Sequence, residues 1–177
     1  MTTDANPALI TYMLQGTRPA PTLVIGLGNP ILGDDGVGWR VVEDLRSRLG
    51  DRGAEVETDC ASLGGLSLME RMLGYRRVIL VDSMETGQVA VGGVRAFPLE
   101  ALPDPSLGHS ASAHDTSLLT ALQAARAMGA EVPARVDVVA VEALPTYDFS
   151  EELSPPVAGA VPVATQAVLD LLKKDEP

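Results

Sequence analysis

The run Arg77-Val78-Ile79-Leu80-Val81-Asp82 restricts the possible folds of this chain more than any other stretch. Successive strand residues point to opposite faces of a sheet, so a strand that is apolar at every interior position must be covered on both sides. Thr22–Gly26 is a second short β-branched run that stops at glycine, and Ala54–Thr58 and Val136–Val141 read as further strands. Gly92–Leu99 reads as a strand too, with Pro98 marking an edge. Between the strands the apolar spacing is helical. Positions 37, 41, 42, 45 and 49 line one face of a helix that Gly50 ends, and Leu66–Leu73 is a helix stopped by Gly74. Two more helices are expected, over residues 113–128 and Val157–Leu172. This alternation predicts an α/β fold, a three-layer α/β/α sandwich with a twisted, mostly parallel sheet and helices on both faces. Residues 1–21, closed by Arg18-Pro19-Ala20-Pro21, read as an N-terminal extension, and 22–177 as a single domain.

Composition narrows the partners. The chain is 46% hydrophobic but has only two Phe, three Tyr and one Trp, so the core must be aliphatic. Thirteen basic residues against 24 acidic ones give a net charge of −11, which repels a phosphate backbone and an anionic membrane surface. Neither nucleic acid nor membrane is an expected partner. No apolar run is read as approaching the roughly 18–20 residues that span a bilayer. The start Met1-Thr2-Thr3-Asp4 lacks the basic segment of a signal peptide. Cys60 is the single cysteine, which rules out an internal disulfide and agrees with a cytoplasmic location.

In doubly wound sheets ligands bind beyond the carboxyl ends of the strands. There the first strand opens into Gly26-Leu27-Gly28-Asn29-Pro30. A dinucleotide fingerprint would need a third glycine where Ile31 stands, and a P-loop would need a lysine that this loop lacks. Gly33-Asp34-Asp35-Gly36 instead puts two carboxylates where phosphates would lie, so no nucleotide is expected. One aspartate suffices to cap the helix that starts at Val37, and Asp34 is the candidate. Asp82, at the end of the central strand, is either a turn former or, facing one crevice with Asp35, half of a cation site. The chain has two histidines, His109 and His114. Ser112-Ala113-His114-Asp115 fits a capping box, which puts His114 in a first helical turn where the dipole favours the neutral, metal-binding imidazole. A surface loop histidine is the plainer alternative. His109 has no assignable place. Asp35, Asp82 and His114 together would form an open set better suited to Ni, Zn or Fe than to Ca or Mg. The chain has no His-Glu-x-x-His pair and no Gly-x-Ser-x-Gly elbow. Cys60 reads as a small buried hydrophobe, because no flanking base or cation would lower its pKa.

The segment Val24–Gly38 resembles the opening of the [NiFe]-hydrogenase maturation endopeptidases. Leu80-Val81-Asp82-Ser83-Met84 with Gly87 is similar to their second acidic segment, and Ser112-Ala113-His114-Asp115 with Leu118 and Leu119 to their histidine segment. Glu142-Ala143 through Leu153-Ser154-Pro155-Pro156-Val157 is similar to their tail, so the likeness covers residues 22–172. The resemblance implies a metal-dependent endopeptidase that removes the C-terminal peptide of a hydrogenase large-subunit precursor after nickel insertion. It also implies that Asp35, Asp82 and His114 are both the metal ligands and the catalytic residues, and that the nickel comes with the substrate. A polarised carbonyl or an acidified water would then carry the hydrolysis, with the base unassigned. Two positions depart from the pattern. Asp35 stands where some relatives have glutamate, and Asp59-Cys60-Ala61-Ser62-Leu63-Gly64 differs from a Gly-Thr-rich stretch. Peptidyl-tRNA hydrolases share the Gly-Leu-Gly-Asn-Pro opening, but no histidine precedes 109 here and the acidic charge opposes tRNA. A non-cleaving nickel-dependent chaperone for hydrogenase assembly would use the same ligands and is the alternative reading.

Overall fold

The computed structural model describes residues 22–50, 55–102, 115–144 and 149–174. The N-terminal extension, Ser112, His109 and His114 lie outside them. Five strands form one sheet among the described residues: β1 Thr22–Leu27, β2 Val56–Ala61, β3 Arg77–Met84, β4 Val94–Pro98 and β5 Arg135–Glu142, in the order β2-β1-β3-β5-β4. The pairs β1–β2, β1–β3 and β3–β5 are parallel, and β4 closes the edge antiparallel to β5. Among the described residues four helices cover the sheet: α1 Val37–Leu49, α2 Gly65–Met72, α3 Asp115–Ala127 and α4 Pro155–Lys173.

The apolar run of β3 makes both layers necessary. Val78 and Leu80 face one side with Leu23, Ile25 and Leu27, under Leu68 and Met72 of α2 and Leu118 and Leu122 of α3. Ile79 and Val81 face the other with Val24, Val139 and Val141, under Val37, Val41 and Leu45 of α1 and Val157, Ala164 and Val168 of α4. This is the three-layer sandwich, and each such fully buried Val or Leu contributes about 1.5–3 kcal/mol.

Three details differ from expectation. The second strand runs Val56–Ala61 rather than Ala54–Thr58. Its charged positions Glu57 and Asp59 are held by Arg71 at 2.8 and 2.6 Å, so an edge strand keeps polar residues that the apolar pattern does not register. The last helix starts two residues earlier, at Pro155, since proline needs no N–H partner in a first turn. With 19 residues and a mean hydropathy of 1.2, α4 is long and apolar enough to cross a membrane, contrary to the expectation that no run comes near. It nonetheless lays its apolar stripe on the sheet.

At the carboxyl rim α1 meets the sheet with almost no clearance. A Cβ on Gly38 would fall 2.4 Å from the carbonyl oxygens of both Leu27 and Val81, and one on Gly26 would fall 2.3 Å from the carbonyl oxygen of Gly38. Gly38→Ala should therefore lift the helix start off β1 and β3 and destabilise the fold by about 1–3 kcal/mol, the usual cost of overpacking. Urea denaturation measures it, and an unchanged midpoint would mean that the rim tolerates a wider spacing.

Candidate active site

The rim is built by a loop that folds back on its own strand. Gly28 has φ +111, and a Cβ there would lie 1.8 Å from the carbonyl oxygen of Asp35, so only glycine lets the chain pass. The 3-10 turn Gly33–Gly36 then returns Asp35 to the end of β1, where the Asn29 N–H donates to Asp35 Oδ2 at 2.6 Å. Asp82 sits two residues before the end of β3, paired with Ala140 of β5, and is 4% exposed. Ser83 connects the two acids. Its N–H donates to Asp82 Oδ1 at 2.9 Å and its hydroxyl to Asp35 Oδ1 at 3.4 Å. Two carboxylates 47 positions apart thus share one residue's donors.

Asp34 does not cap α1. The residue at that helix's N-cap is Gly36, and no side chain caps it. The buried Asp34 carboxylate instead accepts the N–H and hydroxyl of Ser154 at 2.6 and 2.8 Å, fastening the start of α4. The same stretch is zipped to the loop by Gly33 N–H to the Ser150 carbonyl at 2.7 Å and Ser150 N–H to the Ile31 carbonyl at 3.0 Å. The turn that carries Asp35 is therefore clamped by residues 150–154.

Sequence reasoning missed a third rim acid. Glu142 is buried at the end of β5, and its carboxylate accepts the N–H and hydroxyl of Thr86 and the N–H of Gly87. It fixes the loop that leaves β3 after Asp82. The signal was available, since Glu142 ends the apolar run of β5 as Asp82 nears the end of β3's.

His114 lies outside the described residues, but the course of α3 is informative. Glu131, four residues past that helix, accepts the Gly74 N–H at 3.0 Å, and Ala134 donates to the Arg76 carbonyl at 2.9 Å, beside Arg77, the first residue of β3. The C-terminal end of α3 therefore lies opposite the rim. Its 13 residues span about 20 Å. Among the described residues no three His, Cys, Asp or Glu side chains converge as a metal cluster. Cys60 is half-buried beside the apolar layer of α1 and α4, and burial pushes its thiol up more than nearby Arg46 pulls it down. That environment suits a packing residue, not a nucleophile.

Proteins of known role share this sequence pattern and fold. A model of the HycI family, hydrogenase maturation protease, matches residues 39–171. The hydrogenase expression/formation protein HupD of Rhizobium leguminosarum bv. viciae is 29% identical over 167 residues, 93% of this chain and 80% of that protein. The hydrogenase maturating endopeptidase HybD from E. coli superposes with a TM-score of 0.71 at 28% identity, over 86% of this chain and 92% of its own. A hydrogenase 2 maturation peptidase from Thaumarchaeota archaeon SCGC_AB-539-E09 gives a TM-score of 0.57 at 30% identity, over 85% of this chain and 97% of its own. The chain belongs to the hydrogenase maturation protease family and is an endopeptidase.

Proposed function

We propose that this endopeptidase removes the C-terminal peptide of a [NiFe]-hydrogenase large-subunit precursor after nickel insertion, and that Asp35, Asp82 and His114 meet the nickel that the precursor carries. The observation that supports it most is the pairing of Asp35 and Asp82 through Ser83 at the strand ends where α/β sheets bind ligands. The donor set fits a cation. Asp35's hydrogen bonds among the described residues come from neutral groups, Asn29 N–H and Ser83 O–H, one on each oxygen. A carboxylate has about four lone-pair directions, so acceptor capacity remains for a metal. His114, which directly precedes α3 in the sequence, would add the nitrogen donor. A bound metal supplies Lewis-acid polarisation of a carbonyl. The chain's part is to hold two carboxyl groups in a fixed relation, through Ser83, Asn29 and the 150–154 clamp, so that the scissile bond is oriented on arrival.

Mass spectrometry of a large-subunit precursor incubated with the protein tests this. The expected result is loss of a C-terminal fragment from nickel-loaded precursor and no loss from nickel-free precursor. Equal trimming without nickel, or binding with no trimming, contradicts it; the latter is what a non-cleaving chaperone would give. Two carboxylates and one imidazole make an incomplete site, so calorimetry should show nickel binding to the protein alone at micromolar affinity or weaker. Nanomolar binding would mean that the protein brings its own metal.

A further inference from the structure

We infer that the rim around Asp35 and Asp82 is a docking surface for an apolar, folded face of the large-subunit precursor, with Phe149, Ile31, Leu63 and Leu144 as its contacts. The inference rests on the function proposed above and adds how the partner is held.

Each of these side chains is exposed, at 82, 44, 37 and 60% respectively, and each comes from a different stretch of the rim. Each is also tied to the neighbourhood of the two acids. Phe149 and Ile31 are drawn together by the bridge Leu32–Ser150, with Ser150 N–H donating to the Ile31 carbonyl. Leu63 follows Ser62, whose hydroxyl donates at 2.7 Å to the carbonyl of Gly28, the glycine packed against Asp35. Leu144 follows Ala143, whose N–H donates at 3.0 Å to the carbonyl of Met84, two residues past Asp82. Apolar side chains exposed singly are ordinary, but a group gathered around one pair of carboxylates marks an interaction surface.

The arrangement favours a folded face over an added peptide strand. The contacts spread from the loop after β2 to the loop after β5, three strand intervals or about 14 Å, wider than one extended chain. The nearest edge strand, β2, is also guarded. Arg46 donates at 3.2 Å to the Thr58 carbonyl and the Asp59 carboxylate accepts the Cys60 N–H at 2.8 Å, which occupies backbone groups that a pairing strand would need. Exposed Glu151 and Glu152 beside Phe149 add negative charge, so the matching face is apolar with cationic groups at its margin.

The test compares Phe149→Ser and Leu144→Ser with Met128→Ser, whose side chain is 79% exposed at the opposite end of the molecule. All three sites are exposed, so the melts should coincide. Binding of nickel-loaded large-subunit precursor is titrated directly, and cleavage kinetics are read alongside. Phe149→Ser should weaken binding about tenfold, as loss of an aromatic contact does, and raise KM with kcat retained at saturation. Leu144→Ser should follow more weakly, and Met128→Ser should match the parent. Unchanged binding in Phe149→Ser and Leu144→Ser overturns the inference, as does a fall in kcat with KM unchanged, which would put these residues in the chemistry. If the parent binds precursor and does not cut it, the proposed function fails while the binding titration still decides the docking surface.

Discussion

Asp35→Asn should lower precursor processing at least about a hundredfold while the protein stays folded, because a site that stabilises charge loses about that much when one group is removed. Asparagine keeps an oxygen to accept the Asn29 N–H, now held at 2.6 Å, while its amide nitrogen would make the Ser83 hydroxyl turn from donor to acceptor, so the stability cost is about 1–2 kcal/mol. The negative charge that a cation needs is gone. His114→Ala should cut processing on the same scale. A thermal melt paired with a gel assay on nickel-loaded precursor separates the two effects. A variant that melts near the parent and still trims at the parent rate removes that residue from the site.

Asp137→Ala should give the largest loss of stability, about 3–5 kcal/mol, with its origin at the end of the sheet away from the site. Asp137 is buried between Arg77 and Arg135. Arg77 reaches its Oδ2 at 2.7 Å, Arg135 reaches its Oδ1 at 3.0 Å, and Arg77 also donates to the Leu171 carbonyl at 2.9 Å, fastening the end of α4. Arg77 is 3% exposed, so removing the carboxylate takes a close ion pair away from a guanidinium held in the interior and leaves it beside a second cation. For a chain of this length the melting temperature should fall by about 6–20 °C. Processing per folded molecule should hold. A loss below about 1 kcal/mol would mean that water reaches Arg77 in the variant and the triad contributes little.

The layers of the fold were legible because β3 cannot be read as anything but a strand covered on both faces, and the helices beside it keep a 3.6-residue period. The rim acids Asp35 and Asp82 were legible as candidates because strand ends are where such sheets bind ligands. What joins them was not. Ser83 meets Asp35 only because β3 lies beside β1 and the first loop folds back over Gly28, a juxtaposition that no local pattern encodes. Asp34 shows the same limit from the other side. Its spacing to Val37 suggests a helix cap, yet its carboxylate binds Ser154, 120 positions away. Glu142 was overlooked because an acid after an apolar strand looks like ordinary solvated polarity until the loop from Thr86 to Gly87 closes on it.

Asp35, Asp82 and His114 should converge on one ion, and anomalous diffraction from crystals soaked in nickel or cadmium would locate it. One strong peak is expected at the carboxyl rim, about 2 Å from a carboxylate oxygen of Asp35, a carboxylate oxygen of Asp82 and a ring nitrogen of His114. A peak held elsewhere, or His114 more than about 8 Å from both carboxylates with its loop ordered, would contradict it.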